Sequence, residues 1–96
     1  MIRRKITLSV SYLEIYNESV NDLLDPTRKN LEVREHKGEV QVERLTSRKI
    51  TSLHEIQNLL SEGDKVRIFA ETRMNSKSSR SHTVFKINVH IEDTNI

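Results

Sequence analysis

Apolar and polar side chains alternate near both ends of the chain and follow a helical period between them. Ile6, Leu8, Val10 and Tyr12 alternate with Thr7, Ser9 and Ser11, which predicts a β-strand with one apolar face. Leu13, Ile15 and Tyr16 extend the apolar character past that alternation, as in a strand that becomes buried on both faces. Asn17 is a suitable cap for a short helical segment, Glu18 to Leu24. Val20, Leu23 and Leu24 fall at helical spacing within it, and Asp25-Pro26 ends it. Leu31 and Val33, then Val40 and Val42, alternate with polar residues on either side of His36-Lys37-Gly38-Glu39. That pattern predicts a β-hairpin with the glycine in its turn. Ile50 is assigned to a further short strand.

Ser52-Leu53-His54-Glu55 fits a capping box, a hydroxyl residue followed three positions later by Glu. Ile56, Leu59, Leu60, Val66 and Phe69 then recur at helical spacing, for a helix of about four turns. Gly63 interrupts it, at about 1 kcal/mol relative to Ala, and marks a bend or a close backbone approach. Glu62 and Lys65 are spaced as an i,i+3 ion pair. After Glu71 the pattern stops, and Thr72 to Ser81 reads as loop with Met74 as its one apolar side chain. Phe85, Ile87, Val89 and Ile91 alternate with Lys86, Asn88, His90 and Glu92, the clearest strand of the chain. The order is strand, short helix, hairpin, long helix, polar loop, strand. It predicts an α/β layer in which both outer strands require neighbours.

Composition adds that the layer is thinly cored. The chain has 96 residues, enough for one small domain, of which 34% are apolar and 31% charged, with no Trp. Strong strand patterns with so few apolar residues imply missing packing partners, as in a domain that has been cut. The net charge of +2 is far from that of a nucleic-acid-binding tail. The absence of Cys excludes disulfides and thiolate zinc sites. Apolar runs are too short for a membrane span, and Met1-Ile2-Arg3-Arg4-Lys5 is not followed by the apolar core of a secretory signal. His36, His54, His82 and His90 are scattered, with no pair at metal-ligand spacing. Tyr12 and Tyr16 read as core residues.

The chemistry concentrates in Asn75-Ser76-Lys77-Ser78-Ser79-Arg80-Ser81-His82. Four hydroxyls, an amide, two cations and an imidazole between a helix and a strand suit a phosphate, because phosphoryl transfer is mainly positioning and electrostatics. On composition alone the stretch reads first as a solvated loop, as most Ser/Asn/Lys clusters are.

The order of residues is more specific. N-x-x-S-S-R-S-H before a strand resembles the switch I pattern of kinesins. Ser11-Tyr12-Leu13-Glu14-Ile15-Tyr16-Asn17-Glu18 with Asp22-Leu23-Leu24 is similar to that family's SYxEIYNE…DLL segment. Leu31 to Glu35 resembles its LxxRE, Glu62-Gly63 with Arg67 its EGxxxR, and Thr83-Val84-Phe85 its strand after switch I. Arg44 stands where many members carry glycine, and Val66 where asparagine is common.

The resemblance implies a partial kinesin-type P-loop NTPase layer over residues 1–96: central-sheet strands, an edge β-hairpin and one long helix before switch I. It implies a microtubule-based motor ATPase using ATP and Mg2+. Asn75, Ser78 and Ser79 would surround the γ-phosphate, with Ser79 reaching the metal through magnesium-bound water. Arg80, acting with Ser79 in catalysis, would pair with a switch II glutamate, and His82 would pack the loop–strand junction. The hairpin residues Arg34, His36 and Lys37, with Arg44, would face tubulin. The partners implied are microtubules and the rest of the motor domain, in the cytoplasm and cytoskeleton, with no membrane and no nucleic acid.

The 96 residues contain no G-x-x-x-x-G-K-[ST] phosphate loop and no DLAGSE-like switch II. The expectation is therefore that this chain alone neither binds ATP tightly nor hydrolyses it. Two other readings stand beside the motor. Lys77 to Ser81 resembles a Ser/Arg tract for RNA contact or phosphorylation, and the chain is also compatible with a docking module lacking ATPase activity.

Overall fold

The computed structural model describes residues 1–73 and 81–95. One long strand organises it. β1 (Ile2–Tyr16) pairs along its whole length with β6 (Ser81–Asn95), from Ile2 opposite Asn95 to Tyr16 opposite Ser81. The other edge of β1 carries two short strands end to end. These are β2 (Ser19–Asp22), with Tyr16 opposite Ser19, and β5 (Arg48–Ile50), with Leu8 opposite Ile50. Every one of these pairings is antiparallel. The expected outer strands are thus each other's neighbours. β3 (Val33–His36) and β4 (Glu39–Val42) form the expected hairpin as a separate two-stranded sheet.

The segment expected to be a short helix is instead β2. Asn17 and Glu18 both take positive φ, 49° and 65°, and two such residues between paired strands make the turn whose twist suits a hairpin. Val20 and Asp22 are buried while Ser19 and Asn21 are half-buried, a period of two. The helical spacing of Val20, Leu23 and Leu24 was therefore coincidental. Leu23 and Leu24 enter the core from the bends after β2. Asp22 holds that corner: its carboxylate accepts the backbone N–H groups of Leu24 (2.8 Å), Asp25 (3.1 Å) and Thr46 (2.7 Å).

α1 spans Leu53–Arg73, 21 residues and about six turns rather than four. Ser52 caps it by accepting the Glu55 N–H at 3.3 Å, while the Glu55 carboxylate returns to the Thr51 N–H rather than to that of Ser52. Glu62 does not pair with Lys65 among the described residues; it lies 3.9 Å from Arg48 on β5. The face that α1 buries is narrower than the periodicity predicted. Ile56, Leu59 and Val66 pack on the sheet, whereas Leu60 and Phe69 are exposed.

Val10, Tyr12, Leu23, Leu24, Ile50 and Leu59 form the core, with Leu8 and Phe85 against it. The same face of β1 and β6 continues beyond α1, where Ile6, Ile87, Val89 and Ile91 are all exposed. The fold matches the expected partial layer in having one helix on a sheet. The hairpin stands as a sheet of its own and not as an edge of the main one, and part of the main sheet's apolar face is left uncovered.

Candidate functional site

Asn75, Ser78, Ser79 and Arg80, the residues expected at the phosphate, lie outside the described residues. Their two flanking elements are placed. α1 ends at Arg73 and β6 begins at Ser81, so the N-x-x-S-S-R-S-H sequence joins the helix that packs on β1 to the strand that pairs with β1. Ser81 lies opposite Tyr16, and its hydroxyl donates to Oε2 of Glu14 at 3.2 Å. Glu14 is 1% exposed, more deeply buried than any core side chain except Val10. His82, expected to pack the junction, is exposed. It lies opposite Ile15, and alternation turns it to the sheet face away from Tyr12 and α1.

The helix is keyed to the sheet two residues before Glu14. The Tyr12 hydroxyl donates to Oδ1 of Asp64 at 2.6 Å, and Arg67 lies 3.6 Å from the same oxygen. Burial of the phenol, reinforced by the neighbouring Asp64 carboxylate, raises the Tyr12 pKa above its ordinary value. Phe85 meets the Tyr12 ring edge-on, with centroids 5.2 Å apart and planes at 82°. Gly63 lies against that ring, so closely that a Cβ built there would overlap Cδ2 of Tyr12. The interruption in the helical pattern is thus a close approach. Under the C-terminal half of α1 lies a half-open cavity of about 560 Å3, walled by Tyr16, Leu23, Pro26, Val66 and Phe69 with Glu14 among its lining.

Sequence reasoning had placed Tyr12 in the core and noted the glycine, but it gave Glu14 no role. The signal available was a carboxylate inside an otherwise apolar strand, Tyr12 to Tyr16, a position where an acid is costly without partners.

The hairpin residues separate into two groups. Arg34 is neutralised by carboxylates on both sides, Glu32 at 3.3 Å and Glu43 at 3.6 Å. His36 and Lys37 are exposed at the turn, where Lys37 (φ 52°) and Gly38 (φ 82°) take left-handed conformations. Arg44 lies outside the hairpin ladder and also takes positive φ, 65°, the geometry in which glycine carries no steric cost. Its carbonyl accepts a hydrogen bond from Arg28 at 3.0 Å. No cluster of potential metal ligands occurs among the described residues, and none of their helices is long and apolar enough to cross a membrane.

Sheet, hairpin and helix together define a partial α/β layer, and comparison with known proteins gives it a family. A family profile described as the kinesin motor domain matches residues 2–96. Over 83 residues, 83% of this chain, the sequence is 53% identical to Kinesin-like protein KIF13A of Homo sapiens. Over 97 alignment positions, covering 94% of the chain, it is 48% identical to Kinesin-like protein unc-104 of Caenorhabditis elegans. A solved structure, described as that of a fast kinesin with implications for ATPase mechanism and interactions with microtubules, superposes with a TM-score of 0.86. It is 39% identical and covers 93% of this chain and 25% of its own. The chain belongs to the kinesin motor domain family. It spans 5% and 6% of the length of the two relatives.

Proposed function

We propose that this chain is the middle of an ATP-driven microtubule motor domain and carries its γ-phosphate-sensing loop. The observation that carries the reading is the position of N-x-x-S-S-R-S-H. The segment follows a helix keyed to β1, and its last two residues, Ser81 and His82, begin a strand paired with β1. A loop held at both ends by one strand can order around a phosphate and release it without disturbing the sheet. In this reading Asn75, Ser78 and Ser79 surround the γ-phosphate and the hydration shell of Mg2+. Arg80 closes an ion pair with a switch II glutamate before hydrolysis.

The phosphate loop and switch II come from the rest of the motor domain, because neither motif occurs in these residues. That larger body also covers Ile6, Ile87, Val89 and Ile91, a contiguous apolar strip of the kind that marks an interface. The hairpin turn faces the microtubule, which places the protein in the cytoplasm on the cytoskeleton. Alone, the chain has no means of binding ATP tightly.

The test is microtubule-stimulated ATP turnover of the intact motor domain. Arg80→Ala should lower turnover by on the order of 10²-fold, the usual loss for removing one transition-state charge partner. Normal turnover in that variant would overturn the reading.

A further inference from the structure

Glu14 is a charged side chain in the place of a core residue. It is 1% exposed, between Tyr12 and Tyr16 along the face of β1 that α1 covers. Burying a carboxylate is unfavourable unless it is hydrogen-bonded, and one of its partners is the Ser81 hydroxyl at 3.2 Å. Ser81 is the first residue of β6 and the penultimate residue of the N-x-x-S-S-R-S-H segment. Asp22 provides the contrast. It is equally buried, at 2%, but its carboxylate accepts the backbone N–H groups of Leu24, Asp25 and Thr46 and holds a corner remote in sequence from the loop.

We infer that Glu14 is a positioning residue for the phosphate-sensing loop: through Ser81 it fixes the point at which the loop re-enters the sheet. The inference rests on the proposed function of that loop. Tyr12, two residues earlier on the same face, keys the helix on the other side of the loop through Gly63 and Asp64. Tyr12 therefore sets where α1 sits on the sheet and Glu14 where β6 begins, from alternate residues of one pleated strand. A group that fixes such a point affects the reacting geometry without touching the nucleotide.

The experiment uses the intact motor domain and compares Ser81→Ala, Glu14→Leu and the double variant. Ser81→Ala removes one partner of a buried carboxylate and should lower the Tm by a few degrees, no more than Asp22→Asn does. Its microtubule-stimulated kcat should fall by about 10-fold. Glu14→Leu should fall at least as far, and the double variant no further than Glu14→Leu, because the two changes break one contact. Asp22→Asn should lower the Tm and leave kcat unchanged. A Ser81→Ala variant with kcat within 2-fold of the parent would overturn the inference, as would additive losses in the double variant. If Arg80→Ala lowers turnover by about 10²-fold while Ser81→Ala stays within 2-fold of the parent, only this inference falls. If both variants turn over normally, the reading of the loop falls with it.

Discussion

Tyr12, on the central strand, donates a 2.6 Å hydrogen bond to Asp64, in the middle of the helix, and the residue beside Asp64 is a glycine because the tyrosine ring leaves no room for more. One side chain thereby sets both the height and the rotation of α1 on the sheet.

Gly63→Ala should destabilise the motor domain despite improving helix propensity. The propensity gain is at most about 1 kcal/mol. Against it, the new methyl would overlap Cδ2 of Tyr12 and lie 2.7 Å from Cε2. The ring cannot turn away, since its hydroxyl is bound to Asp64 and its face meets Phe85. Overpacking of this kind costs about 1–3 kcal/mol, so the net effect is a loss. Thermal unfolding should show a Tm several degrees lower, and an unchanged or higher Tm would contradict the close approach.

Tyr12→Phe should cost about 1–2 kcal/mol at neutral pH, through the lost hydrogen bond and the part-buried Asp64 carboxylate left short of a partner. Its pH dependence is more diagnostic. The folded-state pKa of Tyr12 is raised by burial, then by Asp64. The contribution of the neutral phenol is therefore complete below the unfolded pKa of about 10 and lost as pH rises through the higher folded value. Denaturant unfolding between pH 7 and 11 should show the parent losing its advantage over Tyr12→Phe only above about pH 10. A constant difference across that range would exclude the buried hydrogen bond.

Much of this arrangement was legible in the sequence, for identifiable reasons. Period-two alternation placed β1, β6 and the hairpin, and the Ser52 hydroxyl marked the start of α1. Residues 17–24 were misread because three apolar residues matched a helix by chance while the turn lacked the expected Asn-Gly pair. Glu18 stands where glycine would have announced a hairpin. The link from Glu14 to Ser81 spans 67 positions and exists only through the β1–β6 register, which no local pattern specifies. The narrower face of α1 follows from tertiary contact: packing on Tyr12 centres the helix on Gly63, not on the midpoint of its apolar residues.

The turn offers a gain in stability. Glu18 holds φ at 65°, a left-handed conformation that costs a non-glycine residue about 1–2 kcal/mol. Glu18→Gly removes that cost and creates the Asn-Gly turn favoured in two-residue hairpins, while adding freedom to the unfolded chain. The net expectation is a stabilisation of about 0.5–1 kcal/mol. It would be read as a shift of the denaturation midpoint to higher concentration with an unchanged slope. A destabilised variant would show that the Glu18 side chain makes a contact worth more than the strain.

The hairpin separates charges that matter at long range from those already spent locally. Arg34 is flanked by Glu32 and Glu43, so its field is largely cancelled, and exposed pairs of this kind contribute only about 0–1 kcal/mol each. Lys37 projects from the turn with no carboxylate within ion-pair distance among the described residues. If the turn faces an acidic polymer, Lys37→Glu in the intact motor domain should raise the KM for microtubules several-fold at low ionic strength. The effect should shrink as the screening length falls to about 8 Å near physiological salt. Arg34→Ala should change KM by less than 2-fold under the same conditions. The reverse order of effects, with Arg34 dominant, would mean that its carboxylate partners release it on binding. Equal KM values for Lys37→Glu and the parent at every salt concentration would remove the hairpin turn from the track-binding surface.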